Sequence, residues 1–311
     1  MKQSQLLVVL TALCAVLLST SSRVTAKAAN EGLQPLITTS ELVMGQNRFA
    51  FGLAKGGKLI ENAQVLVRLY DIDKTNADLT FETNARYQPI QTLEIDGKIH
   101  RHADGTSHVH NADNAVRGIY VTQLRFARSG NWGVELILQK PDGASESARL
   151  TVVVHDRSST PSVGEAAPRS RNMVASDVKD LRQIDTSEHP DRRLHQVRIA
   201  DAIAMKRPQI IVFATPQFCT SRMCGPVVDI VRTLLPSYGD RIAFIHQEIW
   251  QDFASKKVFP TVEEWRLQSE PWVFVVDAQG VIRAKFEGLV TAREIERALQ
   301  SVLPPATAQR Q

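Results

Sequence analysis

Phe213-Ala214-Thr215-Pro216-Gln217-Phe218-Cys219-Thr220-Ser221-Arg222-Met223-Cys224-Gly225-Pro226 carries the chain from an apolar run, through two cysteines, into a helix. Gln209 to Phe213 reads as a continuous buried strand and Pro226 to Leu235 as helical. Five residues of regular helix rise about 7.5 Å, whereas a disulfide needs Cα atoms roughly 4.4 to 6.8 Å apart. The four residues between Cys219 and Cys224 therefore cannot all be helical if the bond forms. Gly225 followed by Pro226 fits an N-cap glycine and a first-position proline. Both thiols then lie on the loop feeding a helix N-terminus, where unpaired N–H groups favour thiolate, and Arg222 adds to that field.

Working outward, Ile199 to Met205 reads as a short amphipathic turn and Ile242 to His246 as a strand. Trp272 to Val276 and Val281 to Phe286 read as a hairpin around Asp277-Ala278-Gln279-Gly280, and Ala292 to Leu303 as a closing helix with Thr291 and Glu294 as its capping box. Strand, helix, strand, strand pair, helix is the order of a small α/β domain. The segment from about Ala200 to Leu303 resembles the thioredoxin superfamily, particularly exported thiol-disulfide oxidoreductases of the TlpA type. The matching features are Phe213 on its strand, Phe218 before Cys219, Pro226 in the helix, Pro271 in Glu270-Pro271-Trp272, and Gly288 after the last strand.

The resemblance implies a thioredoxin-like fold, with Cys219 as nucleophile, Cys224 as resolving thiol and Pro271 as a cis-proline facing the cysteines. The chain departs from the family's pattern at three places. The cysteines are separated by four residues rather than two, Val212 stands where a buried acid is frequent, and Glu270 precedes Pro271 where a small or β-branched residue is commoner. An ionised carboxylate there raises the pKa of nearby thiols, and a carboxyl group is itself a proton donor or acceptor. Glu270 therefore joins Cys219, Cys224 and Pro271 as a candidate catalytic residue. Copper-delivery relatives of the Sco type add a His to that loop, and Ser269-Glu270-Pro271-Trp272 has none.

Before this segment the pattern is different. Asn47 to Leu53, Ala63 to Tyr70, Leu79 to Tyr87, Gly118 to Phe126, Trp132 to Gln139 and Ala148 to Val154 are short β-type runs separated by Gly, Asp and polar clusters. They predict an antiparallel β-sandwich over residues 36–155, with a resemblance to immunoglobulin-like sandwiches at Gly118-Ile119-Tyr120, Phe126 and Gly130-Asn131-Trp132. Residues 156–173 read as a linker and 174–305 as the thioredoxin-like domain. The expected fold class is thus two-domain, an immunoglobulin-like sandwich followed by an α/β thioredoxin-like fold.

Residues 1–28 read as a secretory signal peptide, with an apolar run from Leu6 to Leu18 and a small, polar end at Ala26-Lys27-Ala28. That run is too short to span a bilayer, which takes about 20 residues. Lys2, Arg23 and Lys27 supply three of the four net positive charges of the 311-residue chain, so net charge gives no support to a nucleic-acid partner. Cys14 leaves with the leader, and Cys219 and Cys224 remain for an exported, periplasmic setting where disulfides persist.

Four of the eight histidines fall in His100-Arg101-His102 and His108-Val109-His110. A hairpin symmetric about Gly105 would pair His102 with His108 and His100 with His110, converging four imidazoles on Cu(II), Zn(II) or Ni(II). The bland alternative is a solvated polar hairpin that protonates below about pH 6.5. His246, His155, His189 and His195 give no ligand pattern. Three functions follow as expectations: thiol-disulfide exchange with exported protein thiols or disulfides, needing no organic cofactor; metal handling, copper foremost, at the histidine hairpin; and a non-catalytic interaction module stapled by a structural disulfide.

Overall fold

The computed structural model describes residues 32–73, 77–90, 99–101, 107–109 and 116–303, with the backbone alone at 99–101 and 107–109. The leader 1–28 lies outside the described residues, as do His102 and His110.

The first half is strand throughout: β1 (Gln34–Ile37), β2 (Leu42–Val43), β3 (Gly45–Lys55), β4 (Lys58–Leu59), β5 (Gln64–Asp71), β6 (Asp78–Pro89), β7 (Ile99–Arg101), β8 (Ser107–Val109), β9 (Gly118–Phe126), β10 (Gly130–Gln139) and β11 (Ser145–His155). β5 shows the physical reason. Val65, Val67, Leu69 and Asp71 are buried while the residues between them are not, the period of two that puts alternate side chains on one face. β7 and β8 pair with each other, and the other nine strands form one sheet in the order β1-β3-β9-β6-β5-β10-β11-β2, with β4 on β3. The sheet curls around a core that includes Phe49, Phe51, Val67, Leu69, Tyr120 and Trp132.

One hydrogen-bonded surface replaces the two separate layers of a sandwich because β6 serves both sides. Residues 78–85 pair with β5 and residues 86–89 pair with β9.

The second half contains β12 (Gln209–Phe213), β13 (Ala243–Gln247), β14 (Trp250–Asp252), β15 (Lys257–Val258), β16 (Trp272–Val276) and β17 (Ile282–Glu287). Its helices are α1 (Ile199–Ala204), α2 (Cys224–Thr233), α3 (Leu235–Tyr238), α4 (Pro260–Glu264) and α5 (Ala292–Val302). Four strands form a sheet in the order β13-β12-β16-β17, in which β12 and β13 are parallel and the other pairs antiparallel. Every residue of β12, β13 and β16 is buried, so both faces of the sheet are covered. Ile210, Val212, Val273 and Val275 face α2 and α5, whereas Ile211, Phe213, Phe274 and Val276 face Ile199, Trp265 and Ile184.

The expected combination of an immunoglobulin-like sandwich with an α/β thioredoxin-like fold is overturned. Strands dominate the chain, the largest unit is the curled nine-stranded sheet, and among the described residues only α2 and α5 are longer than six residues. The runs read as helical do form, as α2 over Cys224–Thr233, α5 over Ala292–Val302 and the six residues of α1, but they are few beside the strands.

The two halves share a core. Ala50 of β3 and Ile119 and Val121 of β9 pack with Val212, Val273 and Leu299. Arg48 reaches from β3 to α5 and places Nε 2.7 Å and Nη2 3.0 Å from the two oxygens of Glu294. Glu294 is also the capping-box acid of α5, accepting the Thr291 amide at 3.1 Å. Residues 156–173 are tied down between the halves. Gly164 and Ala167 donate to carbonyls of Ile282 and Gly280, and Glu41 accepts the amides of Ser159 and Thr160 and the ammonium of Lys285.

Removing one partner of a buried ion pair leaves the other charge stranded. Arg48→Met is therefore expected to destabilise the protein by about 3 kcal/mol in urea unfolding. A loss below about 0.5 kcal/mol would mean that this pair is of the weak surface kind.

Candidate functional site

Cys219 and Cys224 form a disulfide with Cα atoms 6.1 Å apart. The chain achieves this approach by leaving the helical path, with Arg222 in the left-handed region at φ 59°. The helix begins two residues earlier than expected. Met223 is its N-cap and Cys224 its first residue, so Gly225 and Pro226 lie inside the first turn, where a missing proline N–H does no harm. Cys219 is 5% exposed and Cys224 fully buried, which makes Cys219 the less buried sulfur of the two. Cys219 Sγ lies 3.1 Å from Ser221 Oγ.

Glu270 and Pro271 sit against this pair. The Glu270–Pro271 bond is cis and leads directly into β16. Glu270 Oε2 accepts the Thr215 amide at 2.8 Å, at the end of β12, and lies 3.4 Å from Cys224 Sγ. Among the described residues no Lys or Arg pairs with Glu270. Burial and the nearby Glu248 carboxylate push its pKa up to about 7, against the lowering effect of the Thr215 hydrogen bonds. The structure thus brings Cys219, Cys224, Glu270 and Pro271 to one place, with a carboxyl group that changes protonation near neutrality beside the buried sulfur.

Around the loop, Phe218 stacks on Phe253 with centroids 4.4 Å apart, Trp250 meets Phe253 edge-on, and Lys256 Nζ lies 3.7 Å from the Phe253 centroid. These half-buried rings border the more accessible cysteine.

A second cluster lies behind the same strand ends. Asp185, His195 and His246 are each 1% exposed. His195 Nε2 is 3.1 Å from Asp185 Oδ2, and His246 Nδ1 is 3.5 Å from Asp185 Oδ1. His246 Nε2 bonds the Ala214 carbonyl at 3.0 Å. Burial acts against charge on His246, but Asp185 outweighs it and holds the ring above its ordinary range. Burial holds His195 below that range. Sequence reasoning missed this cluster because its members come from a 3-10 turn, an irregular segment and a strand with no spacing in common. The one available signal was a histidine ending an otherwise apolar strand.

The histidine hairpin is present, but its register differs from the expected one. β7 and β8 place His100 opposite His108 and Arg101 opposite Ser107, so the pairing is not centred on Gly105. His102 and His110 lie outside the described residues.

No protein-family model matches the chain, and no curated protein matches it in sequence. Three solved structures are weakly similar to part of it. The soluble domain of PmoD from Methylocystis sp. ATCC 49242 (Rockwell) is 10% identical over 39% of this chain and 90% of that one, with a TM-score of 0.22. Murine CRIg is 14% identical over 40% and 99%, with a TM-score of 0.21. Spo0M, a sporulation control protein from Bacillus subtilis, is 9% identical over 40% and 49%, with a TM-score of 0.23. At these scores none assigns a family or bears on the thioredoxin resemblance. Among the described residues no helix is long and apolar enough to cross a membrane.

The raised Glu270 pKa has a consequence for stability. Its carboxyl holds its proton more tightly folded than unfolded, so its contribution is greatest at low pH and is lost as pH rises through about 7. Glu270→Gln, which mimics the neutral acid, is expected to gain about 2 to 3 kcal/mol over the parent at pH 8.5 and almost nothing at pH 4.5. A pH-independent difference in urea unfolding would contradict the assignment.

Proposed function

We propose that the chain is an exported thiol-disulfide oxidoreductase in which the Cys219–Cys224 pair exchanges with protein thiols or disulfides and Glu270 moves the proton of Cys224. The observation that carries this reading is the Glu270 carboxyl 3.4 Å from Cys224 Sγ, with a pKa of about 7. A purely structural bond has no use for a proton acceptor at its buried sulfur.

In the reduced protein the Cys219 thiolate attacks a partner disulfide, forming one mixed disulfide and releasing one partner thiolate, which takes a proton from water. Glu270 then accepts the Cys224 proton as the Cys224 sulfur attacks Cys219. The mixed bond breaks, the second partner thiolate leaves and takes up a proton, and two electrons have passed to the partner. The reverse sequence oxidises a dithiol, with the Glu270 proton returned to Cys224. The N-terminus of α2 favours negative charge on Cys224 during these steps. The cis bond to Pro271 holds Glu270 against the pair, with Pro271 buried and its carbonyl accepting the Gly288 amide at 2.9 Å.

Metal capture at the hairpin is the second reading, favoured by the backbone register that sets His100 opposite His108 in β7 and β8. It calls for tight equimolar binding of Cu(II) or Zn(II) that is lost in His100→Ala and His108→Ala.

Cys224→Ser is expected to accumulate mixed disulfides through Cys219 in an exported-protein extract, and Cys219→Ser to accumulate none. In the pure protein, closure of the mixed disulfide should accelerate as pH rises through about 7. Glu270→Gln should slow it about 100-fold and remove that inflection. Equal trapping by both cysteine variants, or an unchanged pH profile in Glu270→Gln, would refute the proposed roles.

A further inference from the structure

His246 presents an electrostatic problem whose solution is a further site. Its Nε2 faces the Ala214 carbonyl at 3.0 Å and must carry a hydrogen to donate there. In the neutral ring Nδ1 is then a bare lone pair, and it faces Asp185 Oδ1 with no hydrogen-bond partner of its own. A lone pair aimed at a carboxylate in a buried site needs a cation between them, which is either a proton or a metal ion.

The distances favour the metal. A proton shared between imidazole and carboxylate draws nitrogen and oxygen to about 2.7–2.9 Å, but the observed separation is 3.5 Å. Two ligands held at 2.0 to 2.2 Å from one tetrahedral ion stand about 3.4 Å apart. His195 Nε2, 3.1 Å from the other oxygen of Asp185, completes a set of two imidazoles and a carboxylate whose ligand atoms all lie within 4.8 Å of one another. We propose that Asp185, His195 and His246 form a closed structural site for a divalent transition ion, with zinc the best match to two imidazoles and a carboxylate.

The surroundings fit that use. The Ala214 carbonyl fixes the His246 tautomer, and the amides of Ser187 and Asp191 orient the carboxylate at 2.9 and 3.2 Å, as outer partners of metal ligands do. Asp185 turns one oxygen to each ring, so bidentate binding supplies a fourth donor atom. Glu248, also buried, accepts from the amide and hydroxyl of Thr186 nearby. With each ligand residue 1% exposed, no position is open to substrate, which separates this site from a catalytic or delivery centre. An ion here would pin the irregular segment 185–195 onto β13, where His195 already bridges to Ile245.

The test uses the mature chain carrying His100→Ala, His102→Ala, His108→Ala and His110→Ala, with the Cys219–Cys224 disulfide oxidised so that neither other candidate binds. The protein is unfolded and refolded with zinc or with EDTA, desalted, and assayed for bound metal and Tm. About one zinc per chain and a higher Tm after zinc refolding are expected, falling to less than about a tenth of an equivalent in His195→Gln and His246→Gln. Refolding the parent with Co(II) covers the case in which those variants fail to fold. Visible ligand-field bands of four-coordinate strength, without sulfur charge transfer, are then expected. Failure to retain either metal, an imidazolium signature from His246 in 15N spectra of protein refolded with zinc, or undiminished zinc in folded His195→Gln would each overturn the proposal. None of these readings depends on thiol exchange, so the two assignments stand or fall separately.

Discussion

Arg48 leaves the curled sheet and ends between both oxygens of Glu294, a residue that also caps the helix it belongs to. The pattern recurs at Glu41 and Asp185. Glu41 lies under Lys285, Ser158 and Ser159, and although burial acts to raise its pKa, these partners bring it down to about 2. Asp185 is similarly held far below the carboxylate range, against burial, by His246, His195 and the Ser187 amide. Desolvation makes an unpaired ion prohibitive, so each buried charge fixes which segments must meet. These pairs tie the strands of the first half to β17, α5 and the segment 156–173, which is why the halves share a core.

Glu270 departs from that pattern. It has the burial but no cation, and a carboxyl in that position answers by keeping its proton to about neutral pH. Its place is set by three independent features: the end of β12 offers the Thr215 amide, the cis bond to Pro271 turns the chain into β16, and the helix that starts at Cys224 brings a sulfur alongside. The fully buried strands β12 and β16 hold the two sides of the site, and the irregular loop between Thr215 and Met223 leaves Cys219 the less buried of the two sulfurs.

Much of this was legible locally. The spacing argument for Cys219 and Cys224 holds because it depends only on helix rise and disulfide reach, and Arg222 supplies the break it requires. Strands such as Gly118–Phe126 follow from β-branched and aromatic runs between turn residues. What escaped is non-local. Nothing in the sequence of β6 says that one strand pairs with two different neighbours and merges the expected layers into one sheet. The hairpin register was misjudged because symmetry in the histidine pattern was taken for symmetry of pairing, and the backbone instead sets His100 against His108. The α/β expectation gave a few short helices a weight that the strands outmatch. The Asp185, His195 and His246 cluster depends entirely on chain crossings that no spacing encodes.

The central claim is that the Cys219–Cys224 bond is exchanged in use rather than fixed once. The reduction potential of the pair, measured on the oxidised protein by alkylation and mass analysis across a thiol redox series, tests it most directly. A midpoint between about −120 and −270 mV is expected, within the range of exchange catalysts, whereas a midpoint below about −300 mV would make the bond a structural staple and contradict the assignment.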